Sequence, residues 1–333
     1  MENPEINAIA EKVNRAFAAD VYEGLTAPAK FLPSKYLYDQ RGDAIFQEIM
    51  AMEAYYPTRS EDEIFRTYKE EMLSYFGEGD KKFQLIEFGA GDGTKTKVLL
   101  RYFWEQSSGL TYVPIDISAN IIRELTNDLR ETLPGLRVRG ICDDYFRAFD
   151  QLADSEDEGA RKVVLFLGAN VGNFDATESV SFLKKIAQQL SPDDRLMIGF
   201  DLKKDPQRIL DAYFDKEGVT KSFKLNLLRR INRELGGNFD VDTFQYFPIY
   251  HPAEGSILSY LVSTKEQDVT IDALDQTVHF VAWETIYMER SQKYSERDIA
   301  TLAEKTGFRV VRNFFDKERL FADSLWALKG NDD

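Results

Sequence analysis

The chain has 333 residues, of which 43% are hydrophobic and 30% are charged, a composition typical of a globular protein. Its formal net charge of −15 argues against nucleic-acid and membrane-surface partners, because phosphate groups would be repelled. A single cysteine, Cys142, excludes an intramolecular disulfide, and two histidines are too few for a soft-metal cluster, so no metal is expected. The first 30 residues lack a basic start followed by an apolar stretch, and no later segment has membrane-spanning length. We therefore expect a cytoplasmic protein.

Residues 1–60 are predicted to form a helical arm and then a loop-rich segment. Ser60 and Glu63 have the spacing of a capping box, which predicts that a helix begins there. Further along, apolar runs alternate with amphipathic helical patterns, one of them starting at Ser118. The predicted strands are Phe83–Phe88, Leu110–Ile115, Leu136–Cys142, Val163–Leu167 and Leu196–Phe200. Such alternation predicts right-handed crossovers and a parallel sheet.

The alternation stops after Asp201. Two helical patterns follow, and the second is predicted to end at Gly236. The β-rich region after them has candidate strands at Phe244–Tyr250, Ile257–Val262, Val269–Ile271, Val278–Trp283 and Thr285–Ser291. From Ser295 a helical pattern returns, followed by predicted strands at Phe308–Phe314 and Leu325–Leu328. We therefore predict one α/β domain interrupted by an insertion, and a solvated acidic turn at residues 154–159.

Three glycines follow the first predicted strand at alternate positions: Gly89, Gly91 and Gly93. Glycine lets the backbone approach a ligand closely, and the helix that follows offers unpaired N–H groups to it. By itself this spacing is compatible with several nucleotide cofactors or with a plain strand–helix turn.

Ligands of an open parallel sheet bind at the carboxyl ends of its strands. There the sequence places Asp116 after the second strand, Asp144 and Tyr145 after the third, and Gly168–Asn173 after the fourth. One carboxylate suits a ribose diol, and an acid followed by an aromatic ring suits adenine. Each acid could instead cap a helix or lie in a surface loop. Together they favour S-adenosylmethionine over a dinucleotide, which would favour a G-x-G-x-x-G spacing.

Five segments resemble the histidine-specific S-adenosylmethionine-dependent methyltransferases, which make trimethylhistidine (hercynine) on the route to ergothioneine. They are Leu32–Asp39, Tyr55–Arg59, Glu87–Thr96, Phe166–Asn173 and Met288–Ser291. The resemblance implies an α/β fold, a Rossmann-like methyltransferase sheet with an inserted, β-rich second lobe. Residues 61–204 and 291–333 would bind the cofactor. Residues 1–60 and 205–290 would form the substrate-binding lobe.

The resemblance also implies roles for individual residues. The cofactor would be held by Tyr38, Gly89, Gly91, Lys95, Asp116, Asp144, Tyr145 and Gly168. The substrate would be bound by Tyr55, Asn173, Tyr213, Glu289 and Ser291, with Tyr38 and Asn173 as the catalytic residues. Glu289 and Ser291 are two apart on a predicted strand, so they share a face, and a carboxylate beside a hydroxyl suits a ring that carries N–H groups. The base that deprotonates the α-ammonium is either Tyr38 or a chain of water molecules, and the sequence does not distinguish between them.

The predicted function is methylation of the α-amine of an amino acid by a monomeric enzyme, with L-histidine as the leading acceptor. Three departures from the family weaken the inference to histidine: Ala169 and Asn170 in place of a Ser-Thr-like run, Arg290 in place of a smaller residue, and Ser259 in place of a methionine. Another amino acid or amine therefore stays open as the acceptor. Two further hypotheses are a non-catalytic S-adenosylmethionine-binding protein and, more remotely, a nicotinamide oxidoreductase.

Overall fold

A computed structural model describes residues 4–77, 82–106, 109–152 and 159–330 of the chain. It divides into two compact units, each made of two segments. The first, here called the insertion unit, comprises Met1–Tyr55 and Asp205–Arg290, and the second, the sheet unit, comprises Tyr56–Lys204 and Ser291–Asp333. The sequence analysis placed the first crossing slightly later, between residues 60 and 61. The predicted acidic turn lies outside the described residues as far as residue 158.

The helices and strands of the described residues are numbered in chain order. The helices are α1 (Pro4–Thr26), α2 (Gln40–Ala51), α3 (Tyr56–Phe76), α4 (Thr96–Gln106), α5 (Ala119–Thr132), α6 (Tyr145–Leu152), α7 (Ala176–Gln189), α8 (Pro206–Tyr213), α9 (Val219–Leu235) and α10 (Glu296–Lys305). The strands are β1 (Phe83–Phe88), β2 (Leu110–Asp116), β3 (Arg137–Val138), β4 (Ile141–Cys142), β5 (Arg161–Phe166), β6 (Arg195–Asp201), β7 (Phe244–His251), β8 (Ser256–Ser263), β9 (Gln267–Ile271), β10 (Gln276–Phe280), β11 (Thr285–Gln292), β12 (Phe308–Phe315) and β13 (Phe321–Leu328).

The sheet unit contains an eight-stranded sheet in the order β12-β13-β6-β5-β1-β2-β3, with β4 also paired to β2. Strands β2, β1, β5 and β6 are parallel neighbours, whereas β13 is antiparallel to both β6 and β12. Ile86 and Phe88 of β1 belong to one apolar core, and Phe83 and Leu85 belong to another. Because alternate residues of a strand leave opposite faces, apolar cores cover both sides of the sheet, which explains why every β1 residue is buried. The predicted parallel sheet is confirmed.

Four local predictions were wrong. The segment predicted to be loop-rich contains helix α2, whose N-cap Asp39 accepts from the Gly42 N–H at 2.7 Å. The predicted third strand is interrupted between β3 and β4 at Gly140, where a Cβ would lie 2.6 Å from Ile122 Cγ2. Helix α3 begins at Tyr56 rather than at Ser60, since Pro57 is pre-organised for a first helical turn. Strand β10 ends at Phe280, and Trp283 turns the chain with φ 71°.

Two predicted helix ends agree with the structure. Ser118 caps α5, its hydroxyl oxygen accepting from the Ile121 N–H at 3.3 Å. Helix α9 ends at Leu235, and Gly236 follows in the left-handed conformation with φ 66°. The first end follows from the hydroxyl of Ser118 and the second from the backbone freedom of Gly236, and both signals are local in the sequence.

The insertion unit contains a three-stranded sheet, β11-β8-β7, and a separate hairpin of β9 and β10. Helix α9 runs through its core with Phe223, Leu227, Leu228 and Ile231 buried. The same core takes in Phe17 of α1 and Leu37, which explains why the N-terminal segment and the insertion fold as one unit.

A buried carboxylate joins three elements of the sheet unit. Glu87 of β1 accepts from the Thr96 hydroxyl at the start of α4, at 2.6 Å, and from the Tyr112 hydroxyl of β2. Burial raises the pKa of Glu87 from 4.5 to about 7, although the hydrogen bonds from Thr96 and Tyr112 oppose the rise. The strand–turn–helix unit that carries the three glycines is therefore anchored directly behind them.

Glu87→Gln is expected to change how stability depends on pH. The folded-state pKa, about 7, lies above the ordinary value of 4.5, so the folded state binds the proton more tightly. The Glu87 contribution to the free energy of unfolding therefore falls as pH rises between these values, by about 3 kcal/mol in total. Urea unfolding at pH 5 and pH 8 should show that the stability of the variant relative to wild type rises by roughly 2.5 kcal/mol at the higher pH. The exposed Glu131→Gln is the control, and a difference independent of pH would contradict the assignment.

Candidate active site

The glycine turn follows β1 with three residues in the left-handed region. Gly89, Gly91 and Gly93 have φ values of 66°, 55° and 65°. A Cβ added at Gly93 would lie 2.6 Å from Leu125 Cδ1, whereas one added at Gly91 would have no atom within 4 Å. Gly93 therefore serves the packing of the turn, and Gly91 borders open space. A ligand can approach the backbone at Gly91.

Asp116, at the end of β2, is held by this turn. The Gly91 N–H donates to Asp116 Oδ2 at 3.1 Å, and the Ser118 N–H donates to Oδ1 at 2.9 Å. Burial raises the pKa of Asp116, and both of these N–H groups oppose the rise. The Ile117 N–H also acts to lower this pKa as a third backbone donor. Because a carboxylate has about four acceptor positions, about one remains for a ligand donor such as a ribose hydroxyl. The structure thus brings together two residues that the sequence assigned to the cofactor.

Asp144 and Tyr145 follow β4, where the sequence analysis placed the adenine site. Asp144 Oδ1 accepts from the N–H groups of Phe146 and Arg147, both at 3.1 Å, and Asp144 forms an ion pair with Arg147. Burial acts to raise the pKa of Asp144, but these partners hold it below its ordinary value. The Tyr145 ring stacks on Phe88 with centroids 4.9 Å apart. Asp144 therefore caps α6 here, and its role at adenine stays a prediction.

Gly168 and Lys95 meet at a carboxylate that the sequence analysis missed. Glu61 of α3 is fully buried, accepts from the Gly168 N–H at 2.7 Å and forms an ion pair with Lys95. Burial acts to lower the pKa of Lys95, but the charge of Glu61 holds it above its ordinary value. A Cβ at Gly168 would lie 3.5 Å from Lys95 Nζ, so glycine leaves room beside the lysine. Glu61 fixes both predicted cofactor residues.

Asn173 ends the turn Asn170–Asn173, which follows β5. This turn packs against the end of β11, since a Cβ at Gly172 would lie 2.7 Å from the carbonyl oxygen of Gln292. Tyr294 also reaches the turn, its hydroxyl donating to the Val171 carbonyl at 3.4 Å. Asn173 is therefore positioned by backbone contacts within the sheet unit.

Ser291 is the first residue of the second segment of the sheet unit. Its hydroxyl accepts from Lys293 Nζ at 2.8 Å, and the same nitrogen lies 2.7 Å from Asp201 Oδ2. Asp201 also accepts from the Tyr56 hydroxyl at 2.9 Å and pairs with Lys204. Ser291 is thus attached to a buried charge network that ends β6.

Within the insertion unit, three predicted residues lie in one aromatic cluster. The Tyr38 ring contacts Phe46 and Phe223 edge-on, with centroid distances of 5.5 Å for each. Phe46 and Tyr55 are 6.4 Å apart, and Tyr55 and Tyr213 are 6.5 Å apart. Electron-rich ring faces attract cations, so this cluster has the chemistry to stabilise a methylated ammonium group.

Glu289, predicted at the substrate ring, forms an ion pair with Lys224 of α9. The side chains are only 12% and 3% exposed, respectively. Lys224 Nζ also lies 5.1 Å from the centroid of the Phe223 ring, which belongs to the aromatic cluster. The carboxylate is therefore held in place inside the insertion unit, beside residues of the predicted amino-acid site.

The structure shows the contacts of two residues that differ from the family pattern, Ser259 and Arg290. Ser259 of β8 is 1% exposed, and its hydroxyl lies 3.3 Å from that of Tyr246 on β7. Arg290 donates to Glu254 Oε2 at 2.9 Å, in the turn between β7 and β8. The Ser259 position thus places a pair of hydroxyl groups in the core of this unit, where the family resemblance implied a thioether.

Glu61 and Lys224 share a signal that the sequence did contain. Each lies three and four residues before buried apolar residues on its helix: Glu61 before Ile64 and Phe65, and Lys224 before Leu227 and Leu228. Residues at this spacing share a helix face. A charged residue on an apolar helix face needs a buried partner, which marks it as a candidate for a site.

The residues of the sheet unit fit S-adenosylmethionine. The backbone at Gly91 borders open space, and Asp116 beside it keeps acceptor capacity for a ribose hydroxyl. Over the described ranges there is no group of three or more His, Cys, Asp and Glu side chains arranged for a metal, and no helix is long and apolar enough to cross a bilayer.

Gly91→Ala is expected to weaken binding of S-adenosylhomocysteine at least tenfold, because the added methyl group occupies the space at the turn. Gly135→Ala is a matched control, since Gly135 has φ 89° and a Cβ there also has no atom within 4 Å. Both variants carry left-handed backbone strain, so their loss of stability should be similar. Calorimetric titration measures the affinity. Equal affinities for the two variants would show that the turn does not bind the cofactor.

Comparison with known proteins identifies the family. A family model described as a histidine-specific, SAM-dependent methyltransferase matches residues 17–328. The histidine N-alpha-methyltransferase of Mycobacterium tuberculosis is 34% identical over 94% of this chain and 95% of its own. That of Mycolicibacterium smegmatis is 33% identical over 95% and 96%. Ergothioneine biosynthesis protein 1 of Schizosaccharomyces pombe is 30% identical over 85% of this chain and 37% of its own. The chain belongs to the histidine-specific, S-adenosylmethionine-dependent methyltransferases.

Proposed function

We propose that the protein methylates the α-amine of L-histidine three times, with S-adenosylmethionine as the methyl donor, and releases trimethylhistidine. Ergothioneine biosynthesis, named for one relative, is the route that uses this product. We propose further that the enzyme acts as a cytoplasmic monomer without nucleic-acid or membrane partners.

The Glu289–Lys224 ion pair is the observation that carries this proposal. Burying an ion pair costs desolvation that two apolar side chains of similar volume would avoid. The pair of Glu289, 12% exposed, with Lys224 therefore indicates a role other than stability. An imidazole N–H is a donor of the kind that Glu289 can accept. The ion pair also lies beside the aromatic cluster, since Lys224 Nζ is 5.1 Å from the Phe223 ring.

The chain contributes chiefly by positioning. The cofactor supplies an electrophilic methyl group, and the protein must hold a neutral α-amine in line with it. Orientation of this kind can supply several kcal/mol of the barrier, roughly 7–11 at most. The aromatic cluster of Tyr38, Tyr55 and Tyr213 would stabilise the ammonium as methyl groups accumulate. The roles of Asn173 at the amino group and Ser291 at the ring stay predictions.

Glu289→Gln is expected to weaken histidine binding while leaving cofactor binding nearly unchanged. The loss of a hydrogen bond to a charged group costs about 1.5–3 kcal/mol, on the order of 10- to 100-fold in affinity. Glu289→Ala should lose at least as much. Calorimetry with histidine and, separately, with S-adenosylhomocysteine measures both effects, and the exposed Glu266→Gln is the control. Equal loss of both ligands would refute this division of labour.

The reaction itself is tested by mass spectrometry of the purified protein with S-adenosylmethionine and all twenty amino acids. A gain of three methyl groups on histidine alone is the expected result. Methylation of a different amino acid would replace histidine as the acceptor, and no methylated product would favour a non-catalytic binding protein.

A second candidate acceptor class is favoured by one observation. The buried hydroxyl pair of Ser259 and Tyr246 makes this part of the insertion unit more polar than a methionine at position 259 would make it, and the serine occupies less space. Since the family resemblance implies that position 259 borders the substrate, an amino acid with a larger or more polar side chain than histidine would fit there.

Ser259→Met tests this candidate. If histidine is the natural acceptor, the thioether should leave kcat/KM for histidine within about threefold. If a larger or more polar acceptor is natural, the variant should lose activity on that acceptor by tenfold or more, because the methionine fills the space and removes the hydroxyl. Competition between histidine and the other nineteen amino acids, before and after the substitution, separates the two.

A further inference from the structure

We propose that Lys224 is a positioning residue that makes the Glu289 site select an uncharged ring and reject a cationic one. This inference rests on the proposed function and adds a specificity determinant to it. The ion pair as a whole has no net charge, and Glu289, at 12% exposed, is the more accessible of its two side chains.

The first step is the hydrogen-bond chemistry of the pair. A lysine ammonium group has three donors and no acceptor, so it can only donate to Glu289. It does so to Oε2, which leaves both acceptor positions of Oε1 for a ligand donor. Lys224 thereby restricts the direction in which the carboxylate points.

The second step is charge. A ligand group that approaches Oε1 as a cation also approaches the Lys224 ammonium on the other oxygen of the same carboxylate. With both side chains almost out of water, 3% and 12% exposed, solvent screens this like-charge repulsion poorly. A neutral N–H donor keeps the hydrogen bond without the repulsion. An imidazolium, lysine or arginine group would also lose its hydration in this buried site, and a carboxylate already paired with Lys224 compensates for that loss less than an unpaired one would. The pair thus favours neutral imidazole over these cations.

The other titratable groups around Glu289 do not supply this selectivity. Burial, and then the charges of Glu289, Tyr213 and Asp215, raise the pKa of Tyr246 far above its ordinary value, although its hydrogen bond with Ser259 opposes the rise. Tyr246 therefore stays neutral between pH 5 and 8. The guanidinium of Arg290, next along β11, is paired with Glu254.

The two histidines of the chain, His251 and His279, are 49% and 54% exposed beside acidic residues of the surface. Neither belongs to the ion pair or to the aromatic cluster. Glu87, with its pKa of about 7, also titrates between pH 5 and 8, but a substitution at Lys224 leaves Glu87 unchanged. A pH effect on ligand binding that Lys224→Gln removes can therefore be read as titration of the ligand at the ion pair.

The test uses trimethylhistidine as the ligand, in the presence of S-adenosylhomocysteine. Its quaternary ammonium has no proton to lose, so only its imidazole titrates between pH 5.5 and 7.5. With an ordinary imidazole pKa near 6.5, about one-tenth of the ligand is neutral at pH 5.5 and about nine-tenths at pH 7.5. Wild-type affinity, measured by calorimetry, should fall about tenfold on acidification.

Lys224→Gln keeps a donor but removes the charge, and it is expected to abolish or reverse this fall. Lys224→Arg retains the cation and should restore the wild-type profile. Lys221→Met, an exposed lysine on the same helix, should also behave as wild type. A purely structural role for Lys224 would weaken binding equally at both pH values.

The proposal is overturned if Lys224→Gln keeps the tenfold fall in affinity on acidification. It is also overturned if the wild-type protein shows no such fall, and that measurement does not depend on whether any variant folds. Failure of the proposed function looks different. In that case the wild-type protein binds neither trimethylhistidine nor histidine at pH 7.5, and both proposals are lost together.

Discussion

The removal of carboxylates from water is the constraint on which both units depend. A buried, ionised carboxylate is costly unless donors surround it. Glu87 has the hydroxyl groups of Thr96 and Tyr112, Glu61 has Lys95 and the Gly168 N–H, and Glu289 has Lys224. Each of these sets of donors joins different helices or strands. The residues assigned to cofactor and substrate are therefore held by the same contacts that hold the elements together.

The architecture of the sheet unit was accessible from sequence because its signals are local. Continuous apolar runs mark strands buried on both faces, and Ser118 and Gly236 mark helix ends through their own hydrogen-bonding or backbone preferences. The errors arose where distant packing decides. The third strand is interrupted at Gly140, which packs closely against Ile122, and the buried face of α3 takes in Ser60, which had been assigned to a cap. Neither contact can be predicted from the residues next to it in the sequence.

The candidate site divides in the same way. Gly91 and Asp116 could be named from their places after two neighbouring parallel strands, and the structure joins them by a hydrogen bond of 3.1 Å. Tyr38, Tyr55 and Tyr213 required the family resemblance, since a tyrosine in a loop or at a helix end has no chemistry of its own to mark it. Lys224 was predicted neither from its position in the sequence pattern nor from the family resemblance. Its partner lies 65 positions along the chain, and only its place on an apolar helix face indicated it.

Gly172 has a consequence for any effort to redirect the enzyme to new acceptors. A side chain there would press against the carbonyl oxygen of Gln292, a backbone atom that no rotamer change can move aside. The loop bearing Asn173 and the chain beside Ser291 must therefore shift together or not at all. Libraries randomised across residues 171–173 would lose most members to misfolding. At Ser259 the hydroxyl contacts the side chain of Tyr246, which can adjust by rotation, so this position offers a more productive starting point.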